Sequence, residues 1–124
     1  MKLYEVAQLF TLGSKIKQTD MPLKIGYRFC KLFDALEKDY AFFSDKIKEI
    51  TSKYADLNED GSFQYTVTGD IKLKIESITT AQKELNELYA VEVIKPDIHF
   101  TLDELEFIKL NVSEINCLMP FIEE

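Results

Sequence analysis

One apolar stripe with helical spacing runs through the middle of the chain and constrains its fold more than any other feature. Its members recur every three or four positions, at Ile25, Phe29, Leu32, Leu36, Tyr40, Phe43, Ile47, Ile50, Tyr54 and Leu57. Their spacing averages about 3.56 residues, between the ~3.5 of a left-handed coiled coil and the ~3.6 of a straight helix. The pattern therefore predicts one helix over residues 20–57, about 50 Å long at ~1.5 Å per residue.

A second apolar stripe predicts that the chain folds back on this helix. It lies within residues 70–90 and comprises Ile71, Ile75, Ile78, Leu85 and either Leu88 or Tyr89. Residues 58–69, between the stripes, read as a turn and a short strand, because polar and apolar residues alternate there. Since each helix has an apolar seam to bury, we expect a long antiparallel helical hairpin.

Short elements are predicted on either side of the hairpin. Residues 1–18 contain an amphipathic helix that we expect to end near Gly13, followed by a linker. Residues 91–124 begin with an extended, β-branched segment. Two short helices are expected after it, beginning near Thr101 and Ser113.

The composition fits a single globular domain over residues 1–124. Apolar residues make up 46% and charged residues 30%, and four Gly and three Pro are too few for a many-turned β fold. We find no internal repeat in the sequence. The predicted fold class is mainly α, with the long helical hairpin packed against short terminal helices and a short strand pair as the minor β element.

The net charge of −7 is unevenly distributed. Residues 1–33 hold six bases and two acids, for a net +4, and the rest of the chain holds nine bases and 20 acids, for −11. Overall acidity argues against nucleic-acid binding, whose affinity comes from neutralising phosphates. No apolar run reaches the ~18–20 residues that span a bilayer, and Glu5 and Gln8 interrupt the first apolar stretch, unlike a secretory signal. We expect neither a nucleic-acid nor a membrane partner, and a cytoplasmic location.

Residue types that carry catalysis are sparse in this chain. The one histidine, His99, alternates with Ile98 and Phe100, so its imidazole should face solvent. Cys30 and Cys117 have no ligand-like spacing and are expected to be reduced, largely buried thiols. The sequence contains no phosphate-binding glycine loop and no nucleophile elbow. We therefore expect a protein that is not an enzyme and that has no cofactor.

Residues 56–61, DLNEDG, resemble the start of a calcium-binding loop. Asp56, Asn58 and Asp60 supply oxygen ligands at alternate positions, and Gly61 follows them. The twelfth position, however, is Val67, where a bidentate glutamate should complete the coordination shell. Asn, Asp and Gly also favour the reversal of a chain after a helix. The preferred interpretation is a turn, with the three oxygen-bearing residues kept as the candidate metal ligands.

Five side chains on the long helix are candidates for contact with a partner. Lys24, Arg28 and Lys31 share one side of the helix, either as a solvated flank or as a docking stripe for an acidic surface. Such a surface could be the acidic residues of a neighbouring copy, for example Glu104, Glu106, Glu123 and Glu124. Phe33 and Phe42 widen the apolar stripe beyond what one helix covers, so a third element or another subunit must cover them. A homo-oligomer is the expected assembly.

The order of these signals resembles a family of small proteins, without assigned activity, from tailed bacteriophages and prophages. The segments that carry the resemblance are DMPLKIGYRFCKL, KYADLNEDGSF, KELNELYAVEV, FTLDELEF and PFIEE. The resemblance implies a viral origin, with the cytoplasm of a bacterial host or the virion as the location. It implies no mechanism.

Together these observations favour a non-catalytic, phage-encoded accessory protein that acts through protein–protein interaction. It would self-associate or take part in virion structure and assembly. The alternative is an inhibitor that binds a host protein, in host takeover or anti-defence, through its acidic surface. A calcium-binding module is a third hypothesis, and it depends on residues 56–61 alone.

Overall fold

Five α-helices and a two-stranded sheet make up the computed structural model, which describes residues 1–123. The helices are α1 (Leu3–Lys17), α2 (Leu23–Tyr54), α3 (Ile78–Tyr89), α4 (Leu102–Leu105) and α5 (Val112–Leu118). Single 3-10 turns, Ile75–Ser77 and Met119–Phe121, lie directly before α3 and after α5. The strands β1 (Phe100–Thr101) and β2 (Ile122–Glu123) pair in parallel. The predicted fold class, mainly α with a short strand pair, is confirmed.

A long helix and an antiparallel partner form within the predicted segments, but the long helix ends at Tyr54 rather than at Leu57, which is extended. α2 has 32 residues and is about 48 Å long. It begins at Leu23, directly after Pro22, whose missing N–H sacrifices no helical hydrogen bond. α3 runs antiparallel to the second half of α2: the Tyr54 hydroxyl donates to Glu84 Oε1 at 3.0 Å. At the other end of α3 the Tyr89 ring lies 5.9 Å from the ring of Phe43.

α1 lies at the centre of the apolar core. It packs against α2, α3 and α5, and its buried residues are Leu3, Val6, Leu9, Leu12, Gly13 and Ile16. The expectation that this helix ends near Gly13 is wrong, because the helix continues to Lys17. Gly13 instead faces α2, where a Cβ would lie 3.4 Å from Cε1 of Phe33. A small residue at this position lets the two helices approach closely.

The C-terminal part of the chain, residues 91–123, returns to α1. The Leu3 amide donates to the carbonyl of Val91 at 2.8 Å, and the Val93 amide donates to the carbonyl of Met1 at 2.7 Å. Further along, Phe100 is buried in the same core. We call the body the unit formed by α1, the first half of α2 and residues 91–123.

The two C-terminal helices begin with side-chain caps. Thr101 caps α4 together with Glu104, as the sequence predicts, and the helix is one turn long, ending at Leu105. α5 is capped by Asn111 together with Glu114, and the expected start at Ser113 is wrong by two residues. Asn111 takes this role because its side chain accepts a hydrogen bond from the Glu114 amide at 2.9 Å.

The second hairpin helix starts later than the sequence predicts. Residues 70–74 are extended rather than helical, a 3-10 turn follows at Ile75–Ser77, and α3 begins only at Ile78. The predicted turn and strand over residues 58–69 are likewise part of a larger extended region, because the pairing begins at Ala55. Residues 55–74 therefore form a separate structure at the end of the hairpin.

Candidate interaction surface at the end of the helical hairpin

Three extended segments at the end of α2 pair with one another in a closed arrangement. The antiparallel bridges that join them are Ala55–Leu73, Leu57–Phe63 and Tyr65–Ile71. Each segment is thus paired with both of the others. At the centre of the arrangement, none of the three segments has an unpaired edge. We call residues 55–74 the β cap.

A ring of three backbone hydrogen bonds holds the centre of the β cap together. The Asp56 amide donates to the Lys72 carbonyl at 2.8 Å, and the Lys72 amide donates to the Gln64 carbonyl at 2.8 Å. The Gln64 amide closes the ring by donating to the Asp56 carbonyl at 3.0 Å. The three residues are eight positions apart along the chain, which gives the β cap an approximate threefold symmetry.

Three arms leave this ring, and each begins with an equivalent hydrogen bond. The Asn58 amide donates to Ser62 O at 2.8 Å in the first arm, and the Thr66 amide donates to Asp70 O at 2.8 Å in the second. In the third arm the Lys74 amide donates to Tyr54 O at 2.9 Å. The first two arms end in turns. In the third arm, the hairpin of α2 and α3 stands where the other two arms have a turn. The structure shows an eight-residue repeat that the sequence analysis missed.

The paired glycines are the signal that could have revealed this repeat. Gly61 and Gly69 are eight residues apart and have φ angles of +85° and +88°. Their amides donate to Asn58 O and Thr66 O, both at 3.0 Å. Residues other than glycine rarely adopt this left-handed conformation, so the two turns require Gly at the same position.

The β cap has one apolar face and one polar face. Bridged residues of antiparallel segments lie on the same face, as do residues two apart within a segment. The apolar face therefore comprises Ala55, Leu57, Phe63, Tyr65, Ile71 and Leu73. Asp56, Gln64 and Lys72 alternate with them and lie on the opposite, polar face, where Lys72 Nζ is 3.9 Å from Asp56 Oδ2.

Part of the apolar face is open to solvent: two of its six residues are exposed, and Phe63, Ile71 and Leu73 are half-buried. Tyr65 is 62% exposed and Leu57 46% exposed, whereas the neighbouring Ala55 is buried. Val67, at the tip of the second arm, is 106% exposed, and Ile75, just after the β cap, is 81% exposed. Within the described chain, none of the six residues of the apolar face packs against the hydrophobic core. The β cap thus presents apolar side chains that the rest of the fold leaves uncovered.

The candidate calcium ligands do not converge on a common point. Asp60 Oδ1 accepts hydrogen bonds from the Ser62 hydroxyl at 2.6 Å and the Ser62 amide at 3.0 Å, which lower the pKa of the Asp60 carboxyl. Asn58 Nδ2 donates to Ser62 Oγ at 3.0 Å, and Asp56 lies beside Lys72. Among residues 1–123, no three His, Cys, Asp or Glu side chains are grouped so that they could hold a metal ion. Within DLNEDG, the Asn58 and Asp60 side chains here shape a turn.

Arg28, a candidate for partner contact, is engaged within its own chain. Its guanidinium pairs with Glu104 through both terminal nitrogens, with Nη1 3.0 Å from Oε1, and donates to the His99 carbonyl at 2.8 Å. The guanidinium carbon also lies 5.1 Å from the centre of the Phe100 ring. Hydrogen bonds from Arg28 and then from the Thr101 amide lower the pKa of Glu104 to about 2. Arg28 therefore fastens α2 to residues 99–104 of the body.

The other four candidates are placed differently. Lys24 is exposed, and Lys31 Nζ lies 5.2 Å from the centre of the Tyr27 ring on the same surface. Phe33 is half-buried, with its ring edge-on to Phe10, and so belongs to the contact between α1 and α2. Phe42 is 48% exposed on the second half of α2. The acidic residues of a neighbouring copy stay a prediction as partners of Lys24, Arg28 and Lys31: here Arg28 pairs with Glu104 of its own chain, and Glu124 lies outside the described residues.

An apolar cleft of about 480 Å³ separates the end of α1 from the first half of α2. Apolar lining residues include Phe10, Ile16, Met21, Phe29 and Phe33. Cys30 also borders the cleft and is exposed, so the expectation that it is largely buried is wrong. Cys117 is half-buried, and burial raises the pKa of its thiol. Both cysteines are free thiols.

Comparison with known proteins gives no family for this chain. No family model matches it, and neither the curated proteins nor the solved structures yield a significant match. Within residues 1–123, no helix combines the length and the apolar character required to cross a membrane. The function must therefore be argued from the site itself.

Proposed function

We propose that the protein acts without catalysis, by presenting the β cap to a protein partner at the end of the helical hairpin. The single observation that carries this proposal is the uncovered apolar face, with Leu57 and Tyr65 46% and 62% exposed on a closed hydrogen-bonded ring. Large apolar side chains grouped on one surface are unfavourable in water and mark interaction sites. The hairpin holds this surface away from the body.

The architecture of the β cap favours recognition through side chains. Open strand edges bind other chains by adding a strand to the sheet. At Asp56, Gln64 and Lys72 the backbone hydrogen bonds are already used by the ring, so the centre of the β cap offers no such edge. A partner would instead cover Leu57 and Tyr65 with its own apolar side chains.

The resemblance to small tailed-phage proteins supplies the biological setting of the proposal. In that setting the protein is a phage-encoded accessory factor in the host cytoplasm or the virion, which self-associates or takes part in virion assembly. One observation favours the second candidate, an inhibitor of a host protein. Residues 55–77, the β cap and the turn that follows it, carry five acids and two bases, a net charge of −3 that suits a basic host surface.

Site-specific photocross-linking tests whether the β cap is the interaction surface. A photoreactive phenylalanine analogue at position 65 should give protein adducts in the native host, because Tyr65 lies on the apolar face. The same analogue at position 83, on the exposed surface of α3, is the matched control and should give few. Leu57→Asp should suppress the adducts at position 65. Equal yields at the two positions, or a yield that Leu57→Asp leaves unchanged, would contradict the proposal.

A further inference from the structure

The cleft between the end of α1 and the first half of α2 combines aromatic walls with an acidic rim. We infer that it binds a small amphipathic amine. The apolar body of this ligand fills the cleft, and its single ammonium group lies beside Asp34 and Glu37. The site is separate from the β cap, so it adds a second binding function to the one proposed above.

Aromatic side chains make the cleft suitable for an apolar ligand. Its volume of about 480 Å³ lies within the ~300–1,000 Å³ typical of small-molecule sites. The rings of Phe10 and Phe33 meet edge to face with 5.2 Å between their centres, and both line the cleft beside the buried Phe29. Phe33 is one turn of α2 from Glu37, so a cation held by this carboxylate would also lie near aromatic faces, which attract cations.

The charged residues that border the cleft are two acids and one base, a net charge of −1. Asp34 and Glu37 are exposed, and within residues 1–123 neither forms an ion pair. Glu37 also has no basic residue three or four positions away on α2. The base, Lys17, lies in the last turn of α1, where a cation complements the helix dipole. The acidic rim therefore carries charge that a cationic ligand would neutralise.

Gly26 keeps the other end of the cleft open. Its φ is not positive, so its backbone does not require glycine, and glycine within a helix is less favourable than alanine. Among the described residues, a Cβ here would contact only Met21, 3.4 Å from its Cγ, and a methionine side chain adapts readily. Packing within the chain thus does not explain this glycine, whereas a ligand that uses the space does.

The length of the cleft defines the shape of the ligand. Gly26 lies two to three turns of α2 from Asp34 and Glu37, a separation of about 12–16 Å. An apolar body of this length, such as two fused aromatic rings with a short alkyl arm, would reach from the acidic rim towards Gly26. Charge disfavours the β cap of another copy as the occupant, because residues 55–77 carry a net charge of −3.

Three small molecules that share a naphthalene ring test the selection for charge: naphthylethylammonium, naphthylethanol and naphthylacetate. The readout is the rate at which iodoacetamide alkylates Cys30, which is exposed at the border of the cleft and would be shielded by a bound ligand. Cys117 lies outside the cleft and serves as the internal control. Naphthylethylammonium should protect Cys30 with a Kd of about 1 mM. Its Kd should be at least about fivefold lower than that of naphthylacetate.

Variants of the cleft separate the charge from the space. Glu37→Gln should raise the Kd of naphthylethylammonium about threefold and leave that of naphthylethanol unchanged. Asp45→Asn removes an exposed carboxylate further along α2, outside the cleft, and is the matched control. Gly26→Ala should raise the Kd of both molecules while it raises the urea midpoint of the free protein, because the new methyl group occupies the cleft and favours the helix.

Several results would overturn the inference. Equal protection of Cys30 by the three molecules, or none up to their solubility, excludes selection of an amine. Stronger protection by naphthylacetate would assign the cleft to an anion held by Lys17. An effect of Glu37→Gln no larger than that of Asp45→Asn excludes the acidic rim. Alkylation that slows as the protein alone is concentrated would show that a second copy covers the cleft. None of these results affects the proposed function, which is tested separately at position 65.

Discussion

The body and the β cap are stabilised by different means within one chain. The body buries whole apolar side chains: Leu9, Leu32 and Leu36 are completely excluded from solvent. In the β cap only Ala55 is buried, and the segments are held by a closed ring of backbone hydrogen bonds and two glycine turns. The body thus depends on side-chain packing, and the β cap depends on backbone geometry.

This difference explains why the β cap can carry an interaction surface. Backbone hydrogen bonds are independent of side-chain identity, so the exposed residues of the apolar face can serve a partner without loss of the local fold. A region with few buried contacts also opens more readily than the core. We expect the β cap to open locally while the body remains folded.

Truncation of a leucine in each region should give the largest contrast. Leu9→Ala removes a completely buried side chain from the centre of α1 and should lower the free energy of unfolding by about 3 kcal/mol. Leu57→Ala removes a half-exposed side chain and should lower it by less than about 0.5 kcal/mol. Urea denaturation of the two variants checks both values. Similar losses would show that the β cap shares the core of the body.

Alanine at Gly61 of the β cap and at Gly13 of the body should act in opposite directions. Gly61→Ala places a Cβ at a φ of +85°, with no neighbouring atom within 4 Å, so its effect isolates the backbone cost of about 1–2 kcal/mol. Hydrogen exchange should show faster exchange of the ring amides, and the urea midpoint should fall.

Gly13→Ala is the matched substitution in the body. An interior helical glycine costs about 0.5–1 kcal/mol relative to alanine, and the new Cβ would only just contact Phe33, at 3.4 Å. This variant should raise the urea midpoint. A lower midpoint would mean that the contact between α1 and α2 has no room for one methyl group.

Acid should lower the stability of the body, because it protonates Glu104. Its pKa is lowered to about 2 from 4.5, so its pairing with Arg28 contributes fully above pH 4.5 and is lost as the pH falls towards 2. Glu104→Gln keeps the capping contacts of α4 but not the charge. The difference in Tm between wild type and variant should therefore shrink over this pH range.

Glu106→Gln, an exposed substitution directly after the end of α4, serves as the control for this titration. Its Tm should follow that of the wild type throughout. The acid-sensitive contact of the body joins Arg28 and Glu104, 76 residues apart, whereas Asp60 of the β cap is paired with Ser62 only two residues away. A difference in Tm for Glu104→Gln that stays constant as the pH falls would exclude the ion pair as the source of acid sensitivity.

The helical hairpin was predictable, but the start of its second helix was not. Ile71, Ile75 and Ile78 have helical spacing, yet Ile71, Leu73 and Ile75 also fit the alternation of a strand. The extended form prevails because the Lys72 and Lys74 amides complete the pairing of the β cap. Those partners lie eight or more residues away, so a local pattern cannot reveal them.

The three basic residues of the candidate site on α2 show the same limit of prediction from local patterns. Spacing along α2 correctly places Lys24, Arg28 and Lys31 on one side of a helix. It cannot show that Arg28 meets Glu104 of its own chain, because that contact spans 76 residues. Nor does a short apolar pattern distinguish a peripheral helix from α1, which lies at the centre of the core.

Local patterns in the sequence specify the long helix, a second helix after it and the turn at DLNEDG, because helical periodicity and turn propensity are local properties. The tertiary structure alone decided which surfaces are buried and which remain open. It closed three segments into a ring through Asp56, Gln64 and Lys72, and it left Leu57 and Tyr65 uncovered. Burial and long-range hydrogen bonding depend on where distant residues meet, and only the folded chain specifies those meetings.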